Sequence, residues 1–254
     1  MRLLTTTLAI TLATIISVSA SAVPYHHMHL TAPDPGAAAQ WYAKHFNGTD
    51  AKGDRCMIGD TYFIFFKKDA GFPGSVGSAV DHIGFSVTDI EAAMSGYEAA
   101  GVKILSGVRE IQSLKIAFIE DPWGTKIEIV QDTDLLGFHH IHLHSPDAAA
   151  TAKWYQDVFG GEAFESFKGL PIRGVDYGSV LLMVQQSAEE KAPTKGRSID
   201  HLGWSTSTLK ADHERLTAAG VTFSLKPTPY RNLHISFING PDGVNIEYLQ
   251  PASE

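Results

Sequence analysis

The sequence predicts a mixed α+β fold assembled from two tandem copies of one module of about 110 residues. Three observations carry this. His26-His27-Met28-His29-Leu30 recurs as His139-His140-Ile141-His142-Leu143. Asp81-His82-Ile83-Gly84 recurs as Asp200-His201-Leu202-Gly203. Helical and strand periodicities then follow in the same order through each half. From residue 27 to residue 140 is 113 positions and from residue 82 to residue 201 is 119, so six extra residues enter the second half between Gly161 and Asp200. A loop is the expected place for them.

Residues 1–22 read as a secretory leader. Arg2 gives a positive start, Leu3 to Val18 is almost entirely apolar or Thr/Ser, and Ala20-Ser21-Ala22 fits a small-residue cleavage site. The apolar run is short for a membrane span, so the mature chain is expected to be secreted or periplasmic, with no membrane contact after cleavage. The two modules are then 23–133 and 138–250.

Each module opens with a strand that alternates imidazoles and aliphatic side chains, and its helix follows at once. Asp34 and Asp147 are placed to cap these helices, and Pro35 suits a first turn. Ala38, Trp41, Tyr42, His45 and Phe46 share one helical face, as do Thr151, Trp154, Tyr155, Val158 and Phe159, which makes them core. Tyr62 to Phe66 and Val180 to Val184 are continuous apolar runs and predict strands. The middle strand carries the Asp-His segment. A second helix starts near Asp89 or Ser207 and stops before Gly101 or Gly220. The last strand holds Glu128 or Glu247.

Because strand side chains alternate between two faces, the polar positions can be read off directly. His27 and His29 lie opposite Met28 and Leu30; His140, His142 and His144 lie opposite Ile141 and Leu143. His82 opposes Ile83, and Glu128 opposes Ile127 and Ile129; His201 and Glu247 repeat this. Two neutral imidazoles and a carboxylate on one face suit a divalent ion and leave its far side open. His26 and His139 fall on the other face and read as structural. The chain has 28 Asp+Glu against 20 Lys+Arg and no basic run, which excludes a nucleic-acid surface. Its single cysteine, Cys56, rules out an intrachain disulfide and reads as a packing residue.

The spacing from His27 to Asp34, the segment Asp81-His82-Ile83-Gly84, and Asp121-Pro122-Trp123-Gly124 ahead of Glu128 together resemble the vicinal oxygen chelate superfamily. The second copy has His140 to Asp147, Asp200-His201-Leu202-Gly203, and Gly240-Pro241-Asp242-Gly243 ahead of Glu247. The resemblance implies modules of paired βαβββ units, each forming a cup-shaped mixed sheet around a metal. The implied ligands are His27, His82 and Glu128 in one half and His140, His201 and Glu247 in the other, holding Fe(II) or Mn(II) by preference, or Zn(II) or Ni(II). The fourth ligand of glyoxalase-like members, Glu or Gln, would fall in Phe63-Ile64-Phe65 or Leu181-Leu182-Met183, which are apolar. The three-ligand count therefore favours extradiol-dioxygenase-like chemistry on a small vicinal-oxygen substrate. A glyoxalase- or epimerase-like lyase or isomerase is the alternative, and a non-catalytic binding or resistance protein is a third. His29 and His142 share the ligand face, so they could take the place of His27 and His140 as first-strand ligands, complete a four-ligand site, support the ligands from behind or serve as bases. The second half is the richer one, with His142, His234 and Tyr230 as its catalytic candidates, Arg231 beside them and His144 in addition. Assembly into a homo-oligomer stays open.

Overall fold

The computed structural model describes residues 22–252; the predicted leader lies outside them except for Ala22. These residues form four βαβββ units. The first holds β1 (Tyr25–Ala32), α1 (Pro35–His45), β2 (Thr49–Lys52), β3 (Arg55–Ile58) and β4 (Thr61–Lys67). The second holds β5 (Val80–Val87), α2 (Ile90–Ala99), β6 (Lys103–Ile111), β7 (Leu114–Glu120) and β8 (Lys126–Gln131). The third holds β9 (Gly137–Ser145), α3 (Ala148–Phe159), β10 (Glu162–Phe164), β11 (Arg173–Asp176) and β12 (Leu181–Gln186). The fourth holds β13 (Ile199–Ser205), α4 (Leu209–Ala218), β14 (Phe223–Tyr230), β15 (Leu233–Asn239) and β16 (Asn245–Gln250).

The helix signals act as the residue types dictate. Ala37 N–H donates to Asp34 Oδ1 at 3.0 Å and Ala150 N–H to Asp147 Oδ1 at 2.9 Å. Asp89 caps α2, whereas α4 begins after Thr208, which makes no side-chain cap bond. Gly101 and Gly220 follow the last helical turns with φ of 73° and 89°, a backbone state that glycine enters without steric cost.

Two eight-stranded sheets result, ordered β14-β15-β16-β13-β1-β4-β3-β2 and β10-β11-β12-β9-β5-β8-β7-β6. Each joins one unit from each half. β1 runs antiparallel to β13, with His29 opposite His201, and β9 runs antiparallel to β5, with His142 opposite His82. The expected grouping of strands within a half is thus corrected: the first unit completes its sheet with the fourth, and the second with the third. Within a half, contact runs through the helical layer. Phe46, just after α1, stacks on Phe85 of β5 at 3.7 Å, and Phe159 of α3 stacks on Trp204 of β13 at 4.3 Å. One continuous apolar core spans both halves as a consequence.

The sheet register locates the six extra residues. Thr49 faces Met57 in the first unit and Glu162 faces Asp176 in the third, while Met57 and Asp176 face Tyr62 and Leu181 respectively. The insertion therefore lies wholly between β10 and β11, in the segment 165–172, as the loop expectation required. No helix among the described residues is long and apolar enough to cross a membrane.

Candidate metal centres

Each sheet gathers four potential ligands on one face. In the first cup, His27 and His29 of β1 meet His201 of β13 and Glu247 of β16; in the second, His140 and His142 of β9 meet His82 of β5 and Glu128 of β8. One ligand atom from each residue lies within 4.8 Å of the others in its cluster. All six residues expected as ligands are present, but regrouped: His27 joins His201 and Glu247, and His140 joins His82 and Glu128. The reason is the sheet pairing, which carries each β1-type strand to the Asp-His strand of the opposite half.

The middle-strand histidines are aimed by carboxylates. His82 Nδ1 lies 2.8 Å from Asp81 Oδ1 and its Nε2 lies 3.0 Å from Glu128 Oε2. His201 repeats this with Asp200 at 2.7 Å and Glu247 at 3.1 Å. Burial alone would lower both imidazoles, yet these bonds raise them above the ordinary histidine value. Glu128 is driven up by burial, but the imidazoles of His140 and His82 more than offset that and hold it well below the usual carboxylate range. It is ionised.

The opening-strand histidines are aimed differently. A β-bulge between Tyr25 and His27 and another beside His139 shift the strand register. His26 Nδ1 then lies 2.9 Å from His27 Nδ1, and His139 Nδ1 lies 2.8 Å from His140 Nδ1. A bulge re-aims the residue it inserts, so the strict alternation that set His26 and His139 apart fails here. In the third unit the chain of contacts continues: His139 Nε2 approaches Asp132 Oδ2 at 3.4 Å, and Lys168 Nζ lies 2.8 Å from Asp132 Oδ1. With Asp132 accepting from His139 Nε2–H, His139 Nδ1 must accept from His140 Nδ1–H. The lone pair of His140 Nε2 is thereby turned into the cluster.

Four buried nitrogens in these clusters have no hydrogen-bond partner: His27 Nε2 and His29 Nδ1 in the first cup, His140 Nε2 and His142 Nδ1 in the second. His27 Nε2 sits 3.3 Å from Glu247 Oε2 but out of line for a bond. Leaving such an atom buried and unpaired costs about 1–3 kcal/mol. Burial, the largest influence, also holds His27, His29, His140 and His142 below the ordinary imidazole value and so keeps them in the neutral, ligating form. Two neutral imidazoles, the middle-strand imidazole, which would give up its Nε2 proton on ligation, and one carboxylate fit a divalent transition ion. The fourth donor that the apolar segments on β4 and β12 lack comes from the opening strand itself. His142 Nε2 is held by Gln185 Oε1 at 3.2 Å, which frees its Nδ1.

The cups differ above the clusters. The second opens into a cavity of about 570 Å³, reached by His82, Glu128, His142 and His144. Its apolar wall includes Leu105, Ile111, Leu114 and Ile116 of β6 and β7, with Leu170 and Ile172 from the 165–172 insertion. The first opens into about 400 Å³, and Phe66 stacks on His29 at 4.1 Å where the other cup has Gln185 beside His142. Two catalytic candidates fall away. His234 is exposed and lies on the face opposite Glu247, its strand partner being Gln250. Tyr230 is 49% exposed at the β14–β15 turn, under the Arg231 guanidinium 5.3 Å from its ring. Neither residue lines a cup. Cys56 is fully buried in the core, and burial pushes its thiol up to about 12.

Comparison with known families decides the ancestry. The family model described as Glyoxalase/Bleomycin resistance protein/Dioxygenase superfamily matches residues 25–129 and again 137–248. The chain belongs to this superfamily. Among solved structures, glyoxalase I from Zea mays superposes with a TM-score of 0.74 at 17% identity, covering 89% of this chain and 92% of its own. A putative dioxygenase from Bacillus subtilis subsp. subtilis str. 168 does so with 0.66 at 12% identity, covering 92% and 86%. At these identities the likeness is one of fold. No curated protein matches the chain. The family model thus matches each sequence repeat once, and each of the two sheets is shared by both repeats.

Proposed function

We propose that the chain is an exported, metal-dependent enzyme whose active site is the second cup, acting on a small substrate that presents two neighbouring oxygens. The observation that carries this reading is the convergence of His82, Glu128, His140 and His142 at the base of the 570 Å³ cavity, with two of their nitrogens buried and unpaired. Those four residues would hold the ion, which as a Lewis acid would polarise a bound oxygen. His144, half-buried in the cavity wall and kept below the ordinary imidazole value chiefly by burial, is the remaining imidazole that can accept a proton from a bound substrate. With His142 as a fourth donor, the ligand count no longer favours ring-cleaving oxygenation; it supports the lyase or isomerase alternative, in which a proton moves between neighbouring carbons or oxygens.

Metal content tests the reading. The purified chain is expected to hold two divalent ions. A His27→Ala/His201→Ala variant should lose one and a His27→Ala/His82→Ala variant both, since the latter strikes each cup once. One ion retained by His27→Ala/His82→Ala would overturn the cross-half assignment, and none bound by the unaltered chain would sink the enzyme reading.

A further inference from the structure

The two cups descend from one module, so the positions at which they differ show what one has gained. The strand register pairs them residue by residue. Ser106 on β6 faces Phe118, and Leu225 on β14 faces Phe237; Arg109 faces Ile116, and Thr228 faces Ile235. Phe118 and Phe237 are themselves equivalent, facing Glu128 and Glu247. Ser106 and Arg109 of the second cup therefore stand where the first has leucine and threonine.

Both residues line the 570 Å³ cavity, and both are left without a protein partner suited to them. Ser106 Oγ is buried with no hydrogen-bond partner. Arg109 forms no ion pair among the described residues, its guanidinium resting 5.7 Å from the Phe118 ring centroid. The other cation of the wall, Lys126, is already neutralised by Asp81 at 2.6 Å. Phe118 in turn meets the edge of His82 at 5.4 Å, so a single aromatic ring separates the unpaired guanidinium from the imidazole cluster. Around this path the walls are aliphatic, and the insertion that supplies Leu170 and Ile172 is likewise absent from the first cup.

We infer that the second cup takes an amphipathic anion: an apolar body lying along the β6–β7 wall and the insertion, with a carboxylate or similar anionic group bound by Arg109 and Ser106. This rests on the reading of that cavity as the substrate pocket, and it adds the class of molecule bound there. The unpaired hydroxyl and guanidinium supply a donor pair matched to an oxyanion. The aliphatic wall favours a hydrocarbon or aromatic body over a sugar or a nucleotide.

Calorimetric titration of the whole mature chain with 4-phenylbutanoate and with its neutral analogue 4-phenylbutan-1-ol tests this. Saturable binding of the acid is expected, at least tenfold tighter than the alcohol. Arg109→Thr, which installs the residue of the first cup, should weaken the acid at least tenfold and leave the alcohol unchanged. Ser106→Leu should weaken the acid as well. Equal affinity for acid and alcohol, no saturable binding of the acid, or an Arg109→Thr variant that binds the acid as before would each overturn the inference. Metal content measured on the same samples keeps the two readings apart: metal retained with acid binding insensitive to Arg109 rejects the anion site alone, and metal absent throughout rejects the enzyme.

Discussion

A methyl group on Gly84 would lie 2.1 Å from Cε1 of the His140 ring, and one on Gly203 would lie 2.0 Å from Cε1 of His27. The glycine of the repeated Asp-His-x-Gly segment is thus the space into which the opposing imidazole fits. Gly84→Ala is expected to displace His140 and empty the second cup while the first keeps its ion, a result that metal analysis of the variant reads directly. The partners behind the imidazole have a smaller effect. Asp132→Asn or His139→Phe should weaken metal at the second cup by about 10–100-fold, the usual range for groups that orient a ligand, with the first cup unaffected. Elsewhere, burial pushes Asp121 up to about 6, against the bonds it accepts from Thr125 N–H, Tyr42 and Trp123 N–H. The native protein then keeps a proton that the unfolded chain has released above about 4, so this residue costs stability as pH rises from about 4 to about 6. Denaturation midpoints across that window should fall less steeply for Asp121→Asn than for the unaltered chain.

At the scale of elements, the 165–172 insertion has two attachments. Leu170 and Ile172 close the cavity, and Lys168 clamps Asp132 and Asp134 at 2.8 and 2.7 Å. Replacing it with a two-residue turn like that joining β2 to β3 should abolish ligand binding in the second cup and loosen its metal, while thermal melting stays cooperative. Much at this scale was legible in the sequence. Alternation put His27, His29, His82 and Glu128 on the face that holds the clusters, and Asp34, Asp89 and Asp147 capped as their chemistry requires. Two things were not legible. A bulge leaves no mark in a hydrophobic pattern, so the contacts of His26 and His139 with the neighbouring imidazoles are not legible in it; the available signal is the doubled His-His in both halves. Tyr230 and His234 were candidates through proximity in sequence alone, whereas the hairpin carries them to an exposed tip and an opposite face.

The pairing of units belongs to the whole molecule, and its illegibility has a definite cause. β5 and β13 carry nearly the same segment, Asp-His-Ile-Gly-Phe against Asp-His-Leu-Gly-Trp, so either offers β1 an equivalent edge. Side-chain period cannot choose between equal partners; chain connectivity and the helical layer do. A half-chain spanning 23–136 retains β1 and β5 as unpaired edges, each the natural complement of the other. It is expected to associate as a two-fold dimer with His27 of one copy beside His82 of the second, and ultracentrifugation should find twice the half-chain mass. A monomeric, metal-binding half would contradict the pairing.

That pairing also governs how the duplicated chain can change. Each half owns two imidazoles of one cluster and the remaining imidazole and carboxylate of the other. Within a single chain, neither copy can therefore be discarded, exchanged for a foreign domain or allowed to decay without dismantling both centres at once; a lone copy regains them only by pairing with a second copy of itself. Specialisation is left to the cavity walls, where a substituted edge strand or a lengthened loop alters one cup and leaves its twin as it was.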